Sequence, residues 1–195
     1  MNSYWSRCKA DPTRPLALFY SLVFALAFTE RFFLTHTLIF LLLSFRFWVM
    51  SYFVSNRLPP VRPIPLVQRG IAYASMSVPF LYRNPLLRPA GPLSILGELL
   101  ATAGVLLSTW GIIDLGRRFG VSPAKRGEVC RSGVYRWMKH PMYIGYALME
   151  LDCVFLNPAN LVIFVISMAS LVVRGYLENH VLYPSPFKGE GRACR

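Results

Sequence analysis

Six apolar stretches run along the chain, about Leu16 to Leu34, Leu38 to Ser55, Ile64 to Tyr82, Leu93 to Leu115, Met142 to Leu156 and Ala159 to Leu177. Each approaches the roughly 20 residues that a helix needs to cross a bilayer, so the pattern predicts an all-α membrane bundle of about six hydrophobic helices. Most of the stretches carry a charge, such as Glu30, Arg31, Arg46, Arg69, Glu98 or Asp114. Only the run from Cys153 to Val173 is long and charge-free enough to convince by itself. The breaks are sharper than the ends. Pro59-Pro60, Pro63 and Pro65 separate the second stretch from the third, Pro85, Pro89 and Pro92 the third from the fourth, and Asn157-Pro158 the last two, since proline lacks the helix donor and clashes with the preceding turn. The tight Asn157-Pro158 turn predicts a helical hairpin, which brings His140 to Tyr143 and Arg174 to Leu182 to one membrane face. No internal repeat or heptad is evident.

Composition strengthens this picture. Of 195 residues, 54% are hydrophobic and 15% charged, against about 25% charged in soluble domains, and the mean hydropathy is +0.42. The formal charge of +12 would suggest nucleic acid in a soluble domain. On so apolar a chain it fits cytoplasmic loops beside anionic headgroups, so lipid and not nucleic acid is the expected partner. Basic residues alternate between loops. One set holds Arg7, Lys9 and Arg14, then Arg57 and Arg62, then the cluster from Arg117 to Lys139, then Lys188, Arg192 and Arg195; the other holds Arg83 and Arg88, with Arg31 at a helix end. By this asymmetry both termini and the 116–139 loop are expected on the cytoplasmic side, with an even number of crossings. Ala25-Leu26-Ala27 imitates a signal-peptidase site, but hydrophobic segments continue downstream and the first stretch reads as a retained helix. Cys8, Cys130, Cys153 and Cys194 are scattered, and no spacing suggests a disulfide framework or a metal site.

The expected organisation is an N-terminal set of membrane helices over residues 1–115, a polar loop with a C-terminal hairpin over 116–182, and a polar, disordered tail over 183–195. Common soluble nucleotide motifs are missing: the chain has no GxGxxG after a strand, no GxxxxGK[ST], no HExxH and no GxSxG. The hairpin instead offers His140, Tyr143, Arg174, Glu178 and His180, a polar set unusual beside lipid. Pro141 suits a first helical turn, and Arg174 and Glu178, four apart, share a helix face. Interfacial anchoring and a surface ion pair are the plainer readings of these residues. Glu150 and Asp152, toward the far end of the first arm, read as structural hydrogen-bonding groups.

The run Gly133-Val134-Tyr135-Arg136-Trp137-Met138-Lys139-His140-Pro141-Met142-Tyr143-Ile144-Gly145 resembles the G-x-Y-x-x-x-R-H-P-x-Y-x-G signature of the isoprenylcysteine carboxyl methyltransferase and phospholipid methyltransferase superfamily. Arg174-Gly175-Tyr176-Leu177-Glu178-Asn179-His180-Val181-Leu182 is similar to its R-x-x-x-E-E-x-x-L element. The resemblance implies a multi-pass membrane methyltransferase that uses S-adenosylmethionine and takes a lipophilic acceptor, an isoprenylcysteine carboxylate or a phospholipid amine. By position it implies His140, Tyr143, Tyr135, Gly145 and Glu178 as cofactor-binding residues, and Glu178 with Arg174 as catalytic ones. Two alternatives stay open: an NADPH-dependent enzyme like the sterol reductases, which share a similar R-H-P-x-Y hairpin, and a catalytically inactive membrane interaction module. The acceptor, the membrane and the oligomeric state are not legible.

Overall fold

The computed structural model describes residues 11–61, 65–83, 91–122 and 124–182. Among these residues six α-helices appear in order: α1 Arg14–Thr35, α2 Leu38–Asn56, α3 Leu66–Ser77, α4 Pro92–Leu115, α5 Pro141–Leu156 and α6 Leu161–Leu182. No strand occurs among the described residues, and the all-α membrane bundle stands as expected. The proposed tail, 183–195, lies outside the described residues.

Proline opens several of these helices. Pro15, Pro92 and Pro141 occupy the first turns of α1, α4 and α5, where the missing N–H removes a donor with no intrahelical partner. Between α1 and α2 the chain reverses over two residues, with His36 at φ 50 and its N–H donating to the Phe32 carbonyl at 2.7 Å.

Among the described residues four helical segments are long and apolar enough to cross a membrane: Arg14–Thr35, Leu38–Asn56, Pro92–Arg118 and Pro158–Leu182. The third stretch is shorter than its hydropathy suggests, because α3 ends at Ser77 and gives way to a 3-10 turn, Val78–Leu81, around Pro79. At 16 residues, α5 extends about 24 Å, short of the roughly 30 Å hydrocarbon core. Conversely, α6 continues past Leu177 to Leu182. Loss of hydropathy there marks departure from lipid, not the end of the helix.

The tightest contact in the bundle joins α4 to α5, which run antiparallel. Gly97, Ala101, Gly104, Ser108 and Gly111 form a stripe of small residues on α4, all of them buried. Its spacing of three and four is a heptad that hydropathy does not reveal. Gly97 lies against Asp152, Gly104 against the Gly145 carbonyl, and Gly111 against Met142. Small residues let helix backbones approach closely where lipid offers no hydrophobic drive toward association. The α1–α2 pair is instead joined by hydroxyls: Thr29 to Ser44 at 2.6 Å and Ser51 to Ser21 at 2.9 Å.

A polar knot fastens the 116–139 loop to this first hairpin. Asp11 Oδ2 lies 2.7 Å from both Arg57 Nε and Arg126 Nη1, and Arg126 Nη1 also donates to the Leu58 carbonyl at 2.8 Å. Arg57 donates to Thr13 Oγ1 at 2.8 Å, and the Arg14 guanidinium donates to the Arg57 carbonyl. Backbone bonds from Leu58 to the Arg117 carbonyl and from Val61 to the Lys125 carbonyl complete the seam. At the opposite end of α5, Tyr82 donates to Glu150 Oε2 at 2.8 Å.

Candidate active site

The N-terminus of α5 and the C-terminal turns of α6 come together, as the hairpin requires. His140 caps α5 and lies flat on the Tyr143 ring, centroids 5.1 Å apart and planes within 4°. Its Nε2 meets Asn179 Oδ1 at 3.3 Å and its Nδ1 stands 3.7 Å from Glu178 Oε2. Glu178 Oε1 is 3.9 Å from Arg174 Nε. The carboxylate is therefore flanked by both groups without a short bond to either. Arg174 is 3% exposed, donates from Nη2 to the Val121 carbonyl at 2.6 Å, and holds its Cζ 5.4 Å from the Tyr143 ring centroid. That bond ties α6 to the loop.

Tyr135 reaches the same place by another route. Gly133 adopts φ +57, and the Asp114 carboxylate occupies the space that a Cβ there would need. Asp114 Oδ2 then accepts the Val134 N–H at 2.6 Å, which starts the 3-10 turn Gly133–Arg136. A side chain at residue 133 would meet both a strained backbone region and that carboxylate. The turn buries the Tyr135 hydroxyl near Gly111 without a hydrogen-bond partner among the described residues. Burial pushes the Tyr135 phenol well above its ordinary range, so it remains a donor at any physiological pH. The Tyr143 hydroxyl is likewise buried, beside Arg174 and Glu178.

Two cavities flank this cluster. One, of about 780 Å³, is bounded by the loop and includes Tyr135, His140, Tyr143, Glu178 and Asn179. It is rimmed by cations, among them Arg118, Arg131, Arg136 and Lys139. The other, of about 690 Å³, is walled by aromatic rings such as Tyr20, Phe24, Phe47 and Phe80, and also reaches Tyr146 and Arg174. Tyr143 and Tyr146, with centroids 6.2 Å apart, and Arg174 with Glu178, one turn apart on α6, form the partition between them.

Residues 97–184 match the isoprenylcysteine carboxyl methyltransferase (ICMT) family. Over that stretch the chain is similar to this family. The ICMT-family segment begins at Gly97 of the small-residue stripe and takes in the loop, α5 and α6. It therefore contains every member of the partition, and it includes helices long and apolar enough to cross a membrane. No curated protein and no solved structure matches the chain significantly.

Of the residues that the sequence motifs single out, His140, Tyr143, Tyr135, Glu178 and Arg174 converge. Arg174 faces the apolar cavity, not the polar one. Gly145 is elsewhere: it faces α4, where a Cβ would stand 2.6 Å from the Gly104 carbonyl oxygen and 2.9 Å from Ser108 Cβ. Three contributors escape motif reading. Asp114 shapes the Tyr135 turn, Val121 anchors Arg174, and Tyr146 extends the aromatic partition. Only Asp114 had a signal, as a carboxylate in an apolar stretch. No group of three or more His, Cys, Asp or Glu suited to a metal occurs among the described residues.

Proposed function

We propose that the protein transfers a methyl group from S-adenosylmethionine to a lipophilic acceptor, an isoprenylcysteine carboxylate or a phospholipid amine. The reaction is assigned to the membrane face that bears the 116–139 loop, taken as cytoplasmic because basic residues concentrate there. The observation that carries the reading is the shared partition. Tyr143 and Glu178 line the polar cavity while Tyr146 and Arg174 line the apolar one. A water-soluble donor and a lipid-soluble acceptor thus approach opposite sides of one layer of side chains.

The polar cavity fits the donor. Its volume of about 780 Å³ falls within the roughly 300–1,000 Å³ of small-molecule sites. The Tyr135 hydroxyl is buried and has no hydrogen-bond partner among the described residues, a cost that a bound polar ligand relieves. Tyr143 and His140 present aromatic faces and Glu178 a carboxylate, which together suit a cationic sulfur. S-adenosylmethionine, when bound, supplies an electrophilic methyl group on that sulfur. In this reading Tyr135, His140, Tyr143 and Glu178 hold the donor. Gly145 supports them by letting α5 approach α4.

The protein's part in catalysis is then orientation and exclusion of water. Pro141 and the stacked His140 fix where α5 begins, Arg174 fixes α6 against the loop, and the aromatic partition keeps the space between the cavities dry. Holding two reactants in line can replace a large part of the entropic barrier, and a dry site strengthens interactions with shifting charge. A carboxylate acceptor needs no base, whereas an amine would pass a proton to Glu178 or His140.

Calorimetry on the full-length protein in detergent tests the reading, with S-adenosylmethionine as ligand, NADPH as comparison and Glu178→Ala as control. Saturable S-adenosylmethionine binding that the variant loses is the expected result. NADPH binding in its place would turn the assignment to a reductase, a comparison that the cationic rim makes worthwhile. Binding of neither ligand by folded protein would leave an inactive interaction module.

A further inference from the structure

The mouth of the polar cavity carries more positive charge than its proposed ligand can use. Arg118, Arg131, Arg136 and Lys139 border it, and Arg126, also on the lining, is paired with Asp11. Among the described residues the lining carboxylates are Glu178, already flanked by Arg174 and His140, and Glu128. Arg131, Arg136 and Lys139 are exposed. S-adenosylmethionine bears a sulfonium, an ammonium and a carboxylate at neutral pH, so it is a net cation. Like charges around the entrance oppose its approach. On the methyl-transfer reading these cations therefore answer to something else at the same place.

Their position says what. The apolar segment built on α4 ends at Arg118, and α5 begins at Pro141, so Arg131, Arg136 and Lys139 lie at headgroup level on the face where α4 ends and α5 starts. Trp137, between two of these cations in sequence, is 81% exposed, and Arg136 Cζ stands 5.8 Å from its ring centroid. An indole so open has apolar area to bury, and a membrane–water boundary is where tryptophan is enriched. A guanidinium beside it meets phosphate through paired, charge-assisted bonds. The support is stiff: the Trp137 and Met138 N–H groups donate to the Val134 carbonyl at 3.1 and 3.3 Å, and Val134 is itself buried and bonded to Asp114. The same turn carries Tyr135 into the wall of the polar cavity. Whatever Arg136 and Trp137 touch outside is therefore next in sequence to a cavity-lining residue.

We propose that Arg131, Arg136, Trp137 and Lys139 form a docking site for anionic phospholipid of the surrounding membrane, and that this lipid, by neutralising the rim, tightens binding of the donor. The docking stands by itself, whereas its effect on the donor rests on the methyl-transfer reading. Anionic headgroups attract each basic side chain near the surface. With the rim neutralised, a cationic donor no longer meets a net positive entrance. The charge of the membrane thereby sets how much donor the protein holds.

The test places the full-length protein in nanodiscs of phosphatidylcholine, with or without phosphatidylglycerol, and compares wild type with the triple variant Arg131→Gln, Arg136→Gln, Lys139→Gln. Wild type should bind S-adenosylmethionine about tenfold tighter in the anionic discs. The triple variant should differ between discs by about threefold or less, the share due to general attraction of a cation to an anionic surface, and in neutral discs it should bind tighter than wild type. A second arm needs no donor. Brominated phosphatidylglycerol should quench the Trp137 emission, taken as wild type minus Trp137→Phe, more than brominated phosphatidylcholine does, and the triple substitution should remove that difference. Arg136→Gln alone serves if the triple variant does not fold, with part of both effects lost. Equal wild-type donor affinity in the two discs, a tenfold gain that survives the triple substitution, or equal quenching by the two lipids overturns the proposal. Free phosphate that tightens donor binding as much in neutral discs, or NADPH binding that the triple substitution abolishes, gives the cations to a soluble anion and overturns it too. If the quenching preference depends on the three cations but S-adenosylmethionine binds in neither disc, lipid docking stands and the methyl-transfer reading falls.

Discussion

Replacing Gly145 with alanine separates a packing role from a ligand-contact role. The added Cβ would stand 2.6 Å from the Gly104 carbonyl oxygen, 2.9 Å from Ser108 Cβ and 3.0 Å from Ser108 N. Two of these obstacles are backbone and none can rotate aside, so α4 and α5 must separate by several tenths of an ångström. Overpacking of this kind costs about 1–3 kcal/mol, and the upper half of that range applies because the obstacle is rigid. Alanine returns about 0.5–1 kcal/mol through its better helix propensity. A net loss of about 1–2.5 kcal/mol follows, equivalent to about 2–10 °C in midpoint for a chain of this length. Thermal unfolding of purified Gly145→Ala should show that drop, while S-adenosylmethionine affinity measured well below the midpoint stays within about threefold of wild type. Gly104→Ala should behave similarly, and the pair should be non-additive because both press on one seam. Wild-type stability combined with a tenfold or greater loss of S-adenosylmethionine affinity would refute the packing assignment and return Gly145 to the donor site.

Two further substitutions probe the same construction. Asp11→Asn leaves Arg57 and Arg126 without their shared carboxylate, and removing one partner of a buried ion pair costs about 3–5 kcal/mol, which should appear as a lower unfolding midpoint at neutral pH. Burial alone would raise the Asp11 carboxyl, but Arg57, Arg126 and Thr13 outweigh it and hold it below the ordinary aspartate value; the stabilisation is thus complete above the unfolded value and fades as pH falls through the folded one. Wild-type stability should decline over that acid range, and the Asn variant should lack this component of the decline. Tyr135→Phe removes a hydroxyl that has no partner, so the midpoint should hold or rise, whereas S-adenosylmethionine should bind about 2–12-fold more weakly, the worth of one hydrogen bond. Unchanged affinity would remove Tyr135 from the donor site.

Much of this architecture was legible because lipid imposes a simple rule on composition. The apolar stretches located all six helices, and the Asn157-Pro158 turn forecast the hairpin that joins His140 to Glu178. Lengths were harder to read. α3 is cut short by Pro79, and α6 outruns its own hydropathy because a helix needs backbone bonds, not apolar side chains, to continue. Faces were hardest. α2 is apolar nearly all round, so nothing in its pattern says that Arg46 points into a cavity and not toward lipid. Gly145 fits a motif, but whether a glycine serves a ligand or a neighbouring helix depends on what lies opposite, and its partner Gly104 is 41 positions away. The Asp11 knot joins three segments far apart in sequence, and no local spacing announces it.

That knot also sets an order of assembly. Synthesis delivers the α1–α2 hairpin first, and Asp11 and Arg57 can pair as soon as both have emerged. Arg126 arrives some seventy residues later and docks the loop onto a platform already inserted. Glu178 comes later still, with α6, and Arg174 then fastens that helix to Val121 of the waiting loop. A nascent chain is therefore without the polar cavity until its membrane framework is in place, and on the proposed function this couples competence for methyl transfer to completed insertion. Faults in α1 or α2, remote from any reacting atom, would accordingly surface as chains that enter the bilayer and never mature.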